Sequence, residues 1–213
     1  MADLAREPYL VLHQEISGFK DVYGGAGPTV VVECMKIALK DTTSKSVIVF
    51  SHPIGSGAFL PLVSALAYAG HHVIYCNPRY RGNDTALIME KCVADLGACL
   101  THAREKLGYE TIILGGWSGG GSLSLFYQDQ AEHPSLTHTP AGDAYDLTAL
   151  DLPPVQGIML LAAHISRAMT LTEWIDPSIT NETAPFSREP ELNIYDPANP
   201  NQPAYTPDYE ARY

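Results

Sequence analysis

Gly116-Trp117-Ser118-Gly119-Gly120 sets one hydroxyl among glycines, with an apolar β-branched run before it and a helical pattern after it. This is the pattern of a nucleophile elbow, in which Ser sits at a strained strand-to-helix turn and its flanking residues are small enough for the chains to approach. A serine so placed attacks a carbonyl carbon. The amide of Gly119, at the helix N-terminus, then faces the negative charge that develops on the carbonyl oxygen. The plain alternative is a tight glycine turn with no chemistry. The run "TIIL" upstream and the helix downstream supply the context the motif demands, and they favour the nucleophile.

A tetrahedral oxyanion needs a second donor. The segment "SVIVFS" ends in His52-Pro53-Ile54-Gly55-Ser56-Gly57. Pro53 has no amide hydrogen, so Ile54 and then Gly55 are the candidate donors. A loop that merely needs glycine is the alternative. Because the strand before it is expected to neighbour the elbow strand, the oxyanion role is favoured.

Positioning these groups takes a sheet. "TVVVECMKIAL" (29–39), "SVIVFSHP" (46–53) and "HHVIYCNP" (71–78) read as strands, and "FLPLVSALAYAGH" between the last two reads as a helix stopped at Gly70. "DTALIMEKCVADLGACLTHAREKLG" reads as a helix capped at Asp84 or Thr85, with Leu87, Met89, Cys92, Val93, Leu96, Cys99 and Leu100 around one stripe. The strand "TIILGG" follows, then the elbow helix, stopped by Pro134, and a further strand in "VQGIMLLAAH" (155–164). Such alternation predicts an α/β fold, a parallel sheet covered by helices on both faces. From Ile165 the prolines Pro177, Pro185, Pro190, Pro197, Pro200, Pro203 and Pro207 break up a polar stretch with no long apolar run. Residues 1–164 therefore read as the core and 165–213 as the start of an irregular lid.

Taken together, the histidine-proline loop, the segment "NPRYRGND" and the elbow at Ser118 resemble the N-terminal part of the α/β-hydrolase family, from about Val30 to His164. Pro53 stands where glycine commonly follows the histidine in that family. The resemblance implies a mostly parallel sheet with its last strands missing from this chain. It also implies a serine hydrolase that cleaves a carboxylic ester with an apolar or aromatic part, through an acyl-enzyme on Ser118 and with no metal or organic cofactor. In the family an Asp or Glu and then a His follow the Ser, each on a loop after a later strand. Here the histidines after Ser118 are His133, His138 and His164. The first two read as surface residues. His164 lies at the correct end of the sheet, but on the strand that supplies neither partner in most members, so it reads as a lid-base or pocket-lining residue, with His52 and Trp117 as further pocket candidates, and general base is the lesser alternative. Asp143 and Asp176 have no strand to present them as the acid. Acid and base are therefore expected from a C-terminal fragment or second chain that completes the fold. A non-catalytic binding or assembly subunit, an acyltransferase and a carbon–carbon bond hydrolase would share the scaffold.

Composition narrows the partners. Thirteen Lys and Arg against 24 Asp and Glu give a net charge of −11, which repels nucleic acid and anionic membrane surfaces. No apolar stretch approaches the roughly 20 residues of a membrane span, and "MADLAREPYLVLHQ" does not look like a secretory signal. Cys34, Cys76, Cys92 and Cys99 show no paired metal spacing and read as buried free thiols of a cytoplasmic protein; Cys92 and Cys99 share a helix face two turns apart, too far for a disulfide. Arg79, Arg81 and Asp84 read as a salt bridge fixing a turn, and Glu90 and Asp95 as solvated helix residues. Tyr195, Tyr205, Tyr209 and Tyr213 line a pocket or cover the core; the sequence leaves both open.

Overall fold

A computed structural model describes residues 3–17, 29–57, 60–82, 86–164, 176–181, 183–184 and 186–213. The chain divides into two compact units, Met1–Ile165 and Ser166–Tyr213. The first holds a six-stranded sheet of β1 (Leu4–Gln14), β2 (Thr29–Leu39), β3 (Ser46–Ser51), β4 (Val73–Asn77), β5 (Thr111–Trp117) and β6 (Gly157–Leu161), in the order β1-β2-β4-β3-β5-β6. β4, β3, β5 and β6 run parallel. β2 is antiparallel to β4, and β1 to β2, so the sheet is mixed at its N-terminal side. β1 was not legible as a strand. Pro8 interrupts its pattern, and an edge strand tolerates that because the missing amide faces no partner.

Alternation along β3 divides the core. Val47 and Val49 join a cluster with α2 (Met89–Glu105) and α3 (Gly119–Glu132), while Ile48 and Phe50 join a second cluster with Val63 and Ala67 of α1 (Pro61–Tyr68). Because successive side chains point to opposite faces, a strand apolar at every position must be covered on both sides. The helices do this. Pro61 opens α1 with its φ already suited to the first turn, and Gly70, at φ 95°, ends it where a side chain would be strained.

α2 begins at Met89 behind an extended Ile88, so Leu87 precedes the helix instead of lying on its stripe. Its N-cap is thus Ile88, with no side-chain cap, and not the expected Asp84 or Thr85, because the helix starts later than the apolar stripe suggests; Pro185 and 165–175 of the expected lid lie outside the described residues. Glu90 and Asp95 are not solvated: their exposures are 5% and 0%. For Asp95 the reason is tertiary, since β1 and the turn after β4 bring His13 and Arg79 onto it.

The described residues of the second unit form turns followed by α4 (Pro207–Arg212), which Thr206 caps by accepting from the Tyr209 amide. Asn199 Nδ2 donates to the carbonyls of Glu191 and Asn193, and Arg212 pairs with Glu191 at 2.7 Å. Tyr205, Tyr209 and Tyr213 pack ring against ring, with centroids 5.2 and 6.1 Å apart, while Tyr195 is exposed.

Candidate active site

Ser118 joins β5 to α3 with φ 52° and ψ −126°, a sparsely populated conformation for a residue with a Cβ. Close approach of the backbones holds it there. A Cβ at Gly116 would stand 2.6 Å from Gly121 Cα, and one at Gly120 would stand 2.1 Å from the Ser51 carbonyl oxygen. Glycine is thus required on both sides of the elbow by contact as well as by turn geometry. The turn is tied to the next strand: the Ser118 amide donates to Leu161 O at 3.2 Å, and its carbonyl accepts from the amides of Gly121 and His164, each at 3.0 Å. Gly119 opens α3, where the first amides of a helix have no intrahelical acceptor. An anion beside Ser118 meets that positive end.

The loop after β3 lies over the elbow. The position a Cβ would take on Gly119 is 3.3 Å from His52 Nε2, and the His52 ring is 5.5 Å from the Trp117 ring, centroid to centroid. His52 Nδ1 accepts from the Gly55 amide at 2.8 Å and the Ile54 amide at 3.2 Å. These bonds engage, within their own loop, the two amides expected as oxyanion donors. Both amides are turned into their own loop, because the turn at Pro53 folds the imidazole back over them and a side-chain acceptor competes for the donors. A neutral ring whose Nδ1 accepts carries its proton on Nε2, the nitrogen on the Gly119 side. The loop is pinned from behind by Tyr75, whose hydroxyl donates to Gly55 O at 3.0 Å, and by the Gly82 amide, which donates to Ile54 O at 2.8 Å.

The remaining candidates divide cleanly. Trp117, 38% exposed, pairs with Leu161 in the sheet and shows its ring to His52. His164 is half-buried and joined to the elbow through its amide. His133 and His138 are exposed, the first near Asp129 and the second bonded to Thr137. Asp143 closes a surface turn with Thr139. Asp176 belongs to the second unit; partial burial opposes its ionisation, but hydrogen bonds from Ser178 and Arg188 hold its carboxyl below the usual range.

The sequence missed a buried ion cluster behind the loop. Arg79, just past β4, donates from Nη2 to Asp95 Oδ1 at 2.7 Å and pairs with Glu15; its amide also donates to Asp95 Oδ2 at 2.9 Å. His13 Nε2 meets Asp95 at 2.8 Å, and Lys91 lies 3.4 Å from Glu15. Burial raises the cost of the Asp95 charge, yet the bonds from His13 and Arg79 hold its carboxyl below the ordinary range. Arg79 therefore does fix its turn, through Asp95 and Glu15, while Arg81 pairs with Glu33 at 2.5 Å. No periodicity marks such a cluster, whose members come from three elements.

No protein-family model matches the chain, and no curated relative is found. Among solved structures the esterase Est22 superposes with a TM-score of 0.51 at 18% identity, over 83% of this chain and 49% of that one. The chain has the α/β-hydrolase fold. A bacterial heroin esterase matches 76% of this chain and 45% of its own length at 18% identity, with a TM-score of 0.49. The chain spans about half the length of these structures. Among the described residues no helix is long and apolar enough to cross a membrane.

Proposed function

We propose that this chain is part of a serine hydrolase that cleaves a carboxylic ester through an acyl-enzyme on Ser118. The observation that carries the reading is the backbone of Ser118 itself, φ 52° and ψ −126°, between a buried strand and a helix N-terminus packed too closely for any side chain at Gly116 or Gly120. Strain at one polar residue, at the end of a parallel strand, suits a hydroxyl raised for attack. Ser118 Oγ adds to the ester carbonyl, the Gly119 amide stabilises the oxyanion, the alcohol leaves, and water then releases the acid. The half-exposed Trp117 beside His52 supports an apolar or aromatic group on the substrate.

The base and its orienting acid come, in this reading, from a portion of the protein outside residues 1–213. Two observations favour it. Among the described residues β6 is the outermost strand of the sheet, an edge on which a further strand could pair, and His133 and His138 are engaged at the surface. A fluorophosphonate probe tests the proposal on the whole protein. Stoichiometric phosphonylation of Ser118, with hydrolysis of a p-nitrophenyl ester that Ser118→Ala abolishes, is the expected result; intact protein that takes no label would refute it.

A further inference from the structure

Cys34, Cys76 and Cys99 are far apart in sequence and converge in the core. Cys34 and Cys76 face each other across the antiparallel β2–β4 pair, and Cys99 comes down from α2. Their three sulfurs all lie within 4.8 Å of one another, and Cys34 Sγ is 3.6 Å from Cys99 Sγ. We propose that these three thiols form a binding site for a thiophilic monovalent d10 cation, Cu(I), held in trigonal sulfur coordination.

The geometry selects the ion. Three sulfurs around a metal with bonds of about 2.3 Å stand about 4.0 Å apart in a plane, which fits the separations observed. Among the described residues no His, Asp or Glu joins the group as a fourth ligand. Zn2+ in a structural site takes four ligands, so a bare sulfur triad suits it poorly, whereas Cu(I) is satisfied by soft thiolates in lower coordination. All three cysteines are free and buried, with exposures of 4% or less, and dry thiolate surroundings also keep copper in its reduced state.

A cleft of about 360 Å3 is lined by Tyr9, Cys34, Met35 and Asn77, so Cys34 borders it. Two polar atoms of the same cleft, Tyr9 Oη and Asn77 Oδ1, are buried with no hydrogen-bond partner. The Tyr9 hydroxyl is a donor suited to a thiolate. Binding replaces S–H protons by Cu(I) and releases them to water; no electron moves.

The test is an anaerobic titration of the whole, reduced protein with Cu(I) as its acetonitrile complex, against the chelator bicinchoninate. The expected result is one equivalent withheld from the chelator, with three sulfur neighbours counted by X-ray absorption at the copper edge. Cys34→Ser and Cys99→Ser lose that equivalent while keeping the native circular dichroism. Cys92→Ser, buried outside the trio, keeps it. No equivalent withheld by the native protein means that the trio only packs as three small apolar side chains, and overturns the proposal. Two sulfur neighbours instead of three, or equal loss in Cys92→Ser, overturns it as well. Because none of these readouts involves Ser118, failure here leaves the esterase reading standing.

Discussion

At the scale of single residues, the elbow holds Ser118 in a strained, positive-φ conformation. Ser118→Ala removes the attacking oxygen, and we expect kcat/KM to fall by at least about 10³-fold, read with a p-nitrophenyl ester. Ser118→Gly is equally inactive but relieves the positive φ. That strain is worth on the order of 1 kcal/mol, so the melting temperature should rise by roughly 2–4 °C in calorimetry; an unchanged or lower Tm would show that no strain is stored. Gly120→Ala does the opposite. Its methyl would meet the Ser51 carbonyl at 2.1 Å, and we expect a loss of about 1–3 kcal/mol together with loss of fluorophosphonate labelling. His52 acts through its loop, by holding the Ile54 and Gly55 amides. His52→Ala should lower kcat by about 10–100-fold with a smaller change in thermal stability, because displacement of the loop over Gly119 is costly to turnover. Retention of full kcat would remove His52 from the site.

At the scale of elements, the ion cluster fastens the end of β4 to α2 and β1, and so braces the base of the loop above it. Asp95 is fully buried and bonded by Arg79 and His13. Asp95→Ala leaves the Arg79 charge buried without its main partner, and urea unfolding should record a loss of about 3–5 kcal/mol. A loss below 1 kcal/mol would mean that water or Glu15 replaces the carboxylate. The pH dependence has a definite sign. The Asp95 and Glu15 carboxyls titrate below their usual range in the folded protein, so the unfolded chain binds protons first as pH falls. Their stabilisation is fully present above about pH 5 and is lost as pH drops below about 4, toward the folded values. Asp95→Asn should flatten that acid limb of the stability curve.

At the scale of the whole molecule, β6 ends the sheet order with Leu160 half-exposed, and the elbow is bonded to its C-terminal end. If further strands pair there, the chain supplied with the remaining portion of the protein should label at Ser118, and residues 1–213 alone should not; size-exclusion chromatography with the probe distinguishes the two. Equal labelling of 1–213 alone would place the base within this chain. The sequence determined the strands at 29–39, 46–51 and 111–117, the helix after Ser118 and the elbow, because burial on both faces demands unbroken apolar runs and a tight strand-to-helix turn demands glycine. It did not show what depends on how loops and elements pack. Asp95 reads as a surface residue until β1, an edge strand whose sequence pattern Pro8 interrupts, covers it. The amides of Ile54 and Gly55 look free until the His52 ring turns back onto them. Cys34, Cys76 and Cys99 have no common spacing, and only the antiparallel pairing of β2 with β4 beneath α2 brings their sulfurs together. Local pattern fixes which face of an element is buried; which groups meet there is decided by the order and direction in which the elements pack.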